Sequence, residues 1–286
     1  MNLDFSNDQK FLQEEARKFL EKEGALSRNR SVLETESYID QELWSKIVSL
    51  GWTGIRIPEE YGGLGLGHLE LCVIAEELGR YLAPVPFSSS VYLFTEAIIN
   101  YANDEIKKDL LPKLISGEVI GTLAVTEELH APSKSNIKVS LENDNLNGKK
   151  IAVPDAGIAT HSLVVSKSAN GISLQLVDLS SSGINIQHQE NIDESRGHFS
   201  IEFNNVKSQL IGDENSGWEL YESILNQAAV LFSYEQIGGS QAALDMAVNY
   251  ANERYAFGRP IGSYQAIKHK LADMYVALTL AKSNCY

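Results

Sequence analysis

The chain has 286 residues, of which 43% are hydrophobic and 22% charged, with a formal net charge of −14. A chain of this length and composition buries a large core in one to three domains, and its charged fraction excludes wholesale disorder. The acidic balance excludes nucleic acid and anionic membrane surfaces as the main partner. It leaves room for a nucleotide, because a local Arg or a helix N-terminus holds phosphate inside an acidic protein.

Residues 1–118 read as an N-terminal all-α domain. The opening acids and amphipathic spacing are unlike a signal peptide. Ser6 followed by Gln9 is a capping-box start, and Leu12, Ala16, Phe19 and Leu20 share a helix face. Asp40 caps a second helix with Leu43, Ile47 and Val48 inward, ended by Gly51. Leu69, Cys72, Val73 and Leu78 mark a third helix that closes near Gly79, and Val91, Phe94, Ala97 and Ile98 mark a fourth. Asn103 opens a fifth, with Asp104 and Glu105 in its first turn, where acids suit the helix dipole.

Residues 119–211 change period. VIGTLAVT, NIKVSL, KKIAVP, HSLVVS, ISLQLVD and HFSIEF are short, β-rich and bounded by turn residues. Asn170-Gly171 is a strong hairpin signal, and Asn147-Gly148 reads as a second tight turn. The expectation is a central antiparallel sheet or barrel domain.

Residues 212–286 return to helix as a C-terminal α domain. Leu220, Ile224, Ala228 and Leu231 form a stripe, and Gly238-Gly239 allows another backbone to approach closely. The helical pattern runs into Arg254, is cut at Gly258 and Pro260, and resumes by Tyr264. The last helix reaches Tyr286 with no stop signal, which reads as an incomplete bundle. The whole is therefore an α+β multi-domain fold with a sheet domain between helical blocks. No apolar run approaches the ~20 residues of a membrane span. Cys72 and Cys285 lie far apart with no metal-type spacing, which fits a cytoplasmic protein without a disulfide. The six histidines show no metal or nucleophile pattern.

Four stretches carry chemistry. IPEEYGGLGLG at 57–67 is Gly-rich but lacks the spacing of a phosphate loop and reads as a connector. LAVTE at 123–127 ends a strand, where the Thr126 hydroxyl could meet a ring edge. KKIAVPDA at 149–156 is a second such strand. ERYAFGRPIGSYQAIKHKLADM at 253–274 places Arg254, Phe257, Gly258 and Arg259 at a bend and Gln265 early in the next helix, a setting suited to an anion and a flat ring.

This last string resembles the FAD-binding signature of the acyl-CoA dehydrogenase family. The resemblance runs over essentially the whole chain and is strongest at 54–67 and 253–274. It implies an FAD-dependent enzyme that oxidises an acyl-CoA thioester to the 2-enoyl-CoA. Arg254 would reach the FAD pyrophosphate across a subunit interface, Phe257 would pack near the adenosine and Gln265 would add a hydrogen bond. Val125 and Thr126 would line the flavin. So would Ala152 and Val153, although Ala152 stands where the family commonly has a Trp. Glu128-Leu129-His130-Ala131-Pro132 replace the family's Gly-Ser step toward the acyl-CoA. The family implies a homodimer or homotetramer and an electron-transfer flavoprotein as acceptor. No catalytic residue is assigned. The position of a base carried on the long helix is Ala228, followed by Ala229, and Glu235 about two turns on is the nearest candidate. Two alternatives stand beside the enzyme: a non-catalytic subunit of a heteromeric acyl-CoA dehydrogenase, whose sister brings the carboxylate, and a flavin-free helical interaction module.

Overall fold

The computed structural model describes residues 5–35 and 37–286. The helices are α1 (Asn7–Lys22), α2 (Ala25–Thr35), α3 (Gln41–Ser49), α4 (His68–Arg80), α5 (Glu96–Tyr101), α6 (Asp104–Ile115), α7 (Gly217–Glu253) and α8 (Gln265–Cys285). The strands are β1 (Gly121–Ala124), β2 (Ser140–Glu142), β3 (Asn145–Pro154), β4 (His161–Ser168), β5 (Gly171–Asp178), β6 (Ile184–Gln189), β7 (His198–Lys207), β8 (Gln209–Ile211), β9 (Tyr255–Ala256) and β10 (Arg259–Pro260). Contacts divide the chain into two compact units. Met1–Ser27, His68–Ala83 and Ala229–Tyr286 form the first, and Arg28–Gly67 with Pro84–Ala228 the second.

The first unit is helical. Ser6 and Gln9 close the expected capping box on α1, each accepting from the other's backbone N–H at 3.2 and 2.9 Å. α1 lies on α4 through a fully buried carboxylate, Glu77, which takes Arg17 at 2.7 and 3.0 Å and Gln13 at 3.0 Å. Gly79 does not end α4, contrary to the sequence pattern. It sits inside the helix because a Cβ there would fall 2.1 Å from the Glu235 carbonyl oxygen of α7. The approach expected at Gly238 is present from the other side. A Cβ there would meet the Glu76 carbonyl oxygen at 1.8 Å. Arg80 to Asp245 and Lys282 to Glu76, both 2.6 Å, tie α4 to α7 and to α8. Cys72 is buried and Cys285 half-buried, and both are free thiols. Burial pushes the Cys72 thiol up to about 12, so it stays protonated at neutral pH.

In the second unit Asp40 and Asn103 cap α3 and α6, accepting from Leu43 and Ile106 N–H at 2.8 and 2.9 Å. Asp40 also takes Arg28 at 3.0 Å. Removing that side chain strips the cap and the ion pair together. Asp40→Ala is expected to cost about 1–2 kcal/mol in a denaturant melt, and an unchanged midpoint would contradict the capping argument. Ser88–Thr95 forms a buried π-helical stretch that leads into α5. Residues 57–67 fold on themselves. Gly63, Leu64, Gly65 and Leu66 donate to the carbonyls of Pro58, Gly54, Ile57 and Ile55 at 2.8–3.2 Å, so those donors are spent inside the loop and cannot cradle a phosphate.

The sheet runs β6-β7-β3-β2-β4-β5-β8, with β1 also paired to β4. It is mixed rather than antiparallel, because β1 and β2 both run parallel to β4. Residues 125–139 separate β1 from β2, a connection that does not impose the hairpin reversal of a tight turn. The Ala169-Asn170 turn with Gly171 joins β4 and β5 as expected. Asn147-Gly148 is not a turn. It lies within β3 at a register shift, and the reversal occurs at Asn143-Asp144, both in the left-handed region at φ 50° and 62°. Val153, Val164, Val177, Phe199, Ile201, Phe203 and Val206 form the core of this unit.

Candidate functional site

Two groups of candidate residues lie one in each unit. In the second unit the first group is built where β1 ends beside β3. Ile151 N–H donates to the Thr126 carbonyl at 2.8 Å, and the Lys150 ammonium donates to the Val125 carbonyl at 2.9 Å. The backbone acceptors of Val125 and Thr126 are therefore already used. The half-buried Thr126 hydroxyl has no hydrogen-bond partner among the described residues. On β3 the register shift between Lys150 and Val153 places Ala152 at φ 51°. Ala152 is exposed, and its N–H donates to Gln189 Oε1 at 2.7 Å. Val153, 1% exposed, points into the sheet core, and Val125 is buried as well. Of the four residues, Thr126 and Ala152 present side chains outward, with a hydroxyl and a methyl to offer. The register shift explains the split on β3: Lys150 and Val153 face inward on either side of it, and Ala152 between them is turned out.

The segment after Thr126 is held by its own polar groups. Glu128 pairs with His130 at 3.2 Å and with Lys138, and His130 lies 2.9 Å from the Asn136 amide. The Lys138 ammonium holds Glu128 below the usual carboxylate range. Asp155, at the end of β3, is buried and bonded by Ser89 Oγ at 2.6 Å; burial pushes its carboxyl up, opposed by Arg196. Arg196 itself donates to the Ser88 hydroxyl.

The second group is the elbow of the first unit. α7 ends at Glu253, and β9 and β10 form a minimal hairpin with Phe257-Gly258 as its two-residue turn, at φ 51° and 80°. Arg254 N–H donates to the Tyr250 carbonyl at 2.8 Å and Arg254 carbonyl accepts from Ile261 at 2.7 Å. The Arg259 guanidinium lies over the Tyr264 ring at 4.0 Å, and Tyr264 hydroxyl donates to the Ala256 carbonyl at 2.9 Å. The backbone is thus fixed. The side chains are not used: among the described residues the exposed Arg254 guanidinium has no partner, Gln265 is exposed without a side-chain bond, and Phe257 is 97% exposed. A bulky residue held at positive φ with its ring in water is strained and unrewarded within this chain.

Each group is chemically compatible with part of FAD: the Arg254 guanidinium, without a partner among the described residues, is a fork suited to phosphate oxygens, and Thr126 and Ala152 present a hydroxyl and a methyl outward. Glu235 lies half-buried on α7 where the helix backbone meets Gly79. Ala228 is fully buried. No group of three or more potential metal ligands occurs among the described residues, and none of their helices is long and apolar enough to cross a membrane.

Residues 6–118 match the acyl-CoA dehydrogenase N-terminal domain and residues 215–286 the acyl-CoA dehydrogenase C-terminal domain. The mitochondrial isovaleryl-CoA dehydrogenase of Pongo abelii is 30% identical over 299 residues, covering 98% of this chain and 71% of that protein. Among solved structures, a variant of the steroid ACAD Tcur3481-Tcur3483 is 31% identical at a TM-score of 0.84, over 95% of this chain and 74% of that one. Butyryl-CoA dehydrogenase from Megasphaera elsdenii is 26% identical at a TM-score of 0.91, over 100% of this chain and 79% of that one. The chain belongs to the acyl-CoA dehydrogenase family. Members of the family are FAD-binding oxidoreductases that act on the CH–CH group of an acyl-CoA.

Proposed function

We propose that this chain carries out, or supports within an assembly, the FAD-dependent α,β-dehydrogenation of an acyl-CoA to the 2-enoyl-CoA. The observation that carries the reading is the elbow: an unpaired Arg254 beside an exposed Phe257 locked at φ 51°. In this reading the Arg254 fork binds the diphosphate of an FAD held mainly by a second subunit, Phe257 covers the adenosine, and Gln265 adds a hydrogen bond. Thr126 directs its hydroxyl, and Ala152 its methyl, to the flavin edge, with Val125 and Val153 packed behind them. When bound, FAD supplies the acceptor for the β hydrogen, taken as a hydride. Electrons then pass to an electron-transfer flavoprotein.

A second reading is favoured by one observation. Ala228, at the position of a base carried on the long helix, is a buried methyl with 0% exposure. It can neither take the α proton nor face a substrate. In that reading the carboxylate comes from a sister subunit of a heteromeric enzyme.

Anaerobic titration with acyl-CoA thioesters tests the proposal. The flavin absorbance of the loaded protein is expected to bleach on adding one of a straight, branched or steroid acyl-CoA series. Bleaching only after a sister subunit is added supports the heteromeric reading. A loaded protein that no acyl-CoA bleaches, alone or with candidate sisters, contradicts both.

A further inference from the structure

Among the described residues, Lys150 has a large and fully buried side chain, yet it lies on β3 only two positions before the outward-facing Ala152. Its side chain has 0% exposure, and its ammonium donates to the Val125 carbonyl at 2.9 Å and to Glu127 Oε1 at 2.6 Å. Glu127 in turn accepts from the backbone N–H of Lys138 at 2.7 Å and of Val139 at 3.1 Å. One ammonium therefore binds together three stretches of chain: β3, the end of β1 and the approach to β2. Thr126, with its unpartnered hydroxyl, is the residue between the two anchored points, Val125 and Glu127.

Burying such a pair is costly. Desolvation takes several kcal/mol per ion and is repaid only by close geometry and further hydrogen bonds, and an apolar side chain of similar length is often equally stable there. Stability alone thus gives little reason for a lysine. Geometry gives one, since an ammonium has three directed donors and a methionine has none.

We propose that Lys150 is a positioning residue: acting through Glu127 and the Val125 carbonyl, it fixes the end of β1 so that Thr126 is preset for the flavin edge. This deepens the proposed flavin reading and rests on it for its affinity readout. Glu127 is the charged group that faces Lys150, and Ile201 of β7 lies opposite it in the ladder. Burial lowers the Lys150 ammonium from its ordinary value of 10.5 to about 8, against the pull of Glu127. As pH rises through about 8, the folded protein loses this charge while the unfolded chain keeps its own up to 10.5. In that window the unfolded state binds more protons, so this group makes the fold more stable with rising pH. Its bonds to Glu127 and Val125 meanwhile cease to be charge-assisted and weaken. Stability and flavin affinity should therefore move in opposite directions, which a residue that only supports the fold would not produce.

The test compares the native chain with Lys150→Met, Lys150→Arg and Glu127→Gln. FAD dissociation constants are measured from below to above pH 8, and amide exchange of residues 125–127 and 138–139 is measured without FAD. The native affinity should fall as pH passes about 8. Lys150→Met should bind FAD about tenfold more weakly, with no pH step, while Lys150→Arg keeps its charge and shows no step either. Exchange at residues 125–127 and 138–139 should quicken in Lys150→Met and Glu127→Gln while the rest of the sheet is unchanged. Native-like affinity and exchange in Lys150→Met overturn the proposal, as does a pH step that survives in it. If Lys150→Met does not fold, Lys150→Arg and Glu127→Gln decide by the same readings. If the native chain binds no FAD the flavin reading fails, and the exchange pattern alone decides on the clamp.

Discussion

Gly238→Val unfolds the helical unit or leaves it severely destabilised. A Cβ at this position would lie 1.8 Å from the Glu76 carbonyl oxygen and 2.8 Å from the Arg80 nitrogen. Both are backbone atoms in the C-terminal turn of α4 and cannot swing away as a side-chain tip would. The helices must separate, and Gly79, whose own Cβ would fall 2.1 Å from Glu235, shows that the same contact is tight from the other side. Separation also pulls at Arg80–Asp245 and Lys282–Glu76. Overpacking a core costs about 1–3 kcal/mol when side chains can adjust; here backbone meets backbone, and a loss of about 4 kcal/mol or more is expected. Gly239 is the control. A Cβ there would lie 3.5 Å from the nearest atom, an ordinary contact. Gly239→Ala should be neutral or gain about 0.5–1 kcal/mol, because alanine loses less chain entropy in a helix. Denaturant melts of the two variants check the contrast. Equal midpoints would mean that the helices are not in backbone contact.

Arg254→Ala is expected to lower FAD affinity about 10- to 100-fold, the span that one charge-assisted bond to a phosphate covers. The fold should be untouched, since among the described residues the guanidinium holds nothing and the elbow is fixed by backbone bonds and by Tyr264. Lys in its place should recover part of the affinity, as a point charge without the fork. A thermal melt run beside the FAD titration separates the two effects. A lowered melting point in the absence of FAD would instead make Arg254 a structural residue.

Much of the fold can be read from local chemistry. Ser6, Asp40 and Asn103 announce helix starts because a side-chain oxygen must satisfy an otherwise orphaned N–H, and all three caps are made. Gly238 announces close packing for want of any other reason to sit in a long helix. The readings that differ do so where tertiary contacts decide. Gly79 looks like a helix stop yet lies within α4, since only glycine fits against Glu235. Asn147-Gly148 has the residues of a turn but is a bulge, because Asn143-Asp144 already makes the reversal. Strand β6, INIQHQ, is not legible in the sequence because a half-exposed edge strand lacks the apolar run that marks β4 and β5. α2 has too few apolar residues to show a clear stripe.

The proposed site is legible to a different degree in its two groups. Arg254, Phe257 and Gln265 stand out in sequence because a bend between helices carries residues that a mere bend does not need. The Lys150–Glu127 pair is hidden in the sequence: a lysine at an inward-facing strand position is a weak signal, and burial of an ammonium becomes visible only when Val125 and Glu127 are seen to face it. Val153 was expected at the ring and is instead in the core, a consequence of the register shift that turns Ala152 outward.

The most direct measurement is the flavin content of the native protein after reconstitution with FAD and removal of free cofactor on a desalting column. A yellow protein that releases FAD on denaturation is expected, with an Arg254→Ala counterpart that emerges largely stripped. A native protein that emerges colourless, or an Arg254→Ala protein just as yellow, would contradict the flavin reading.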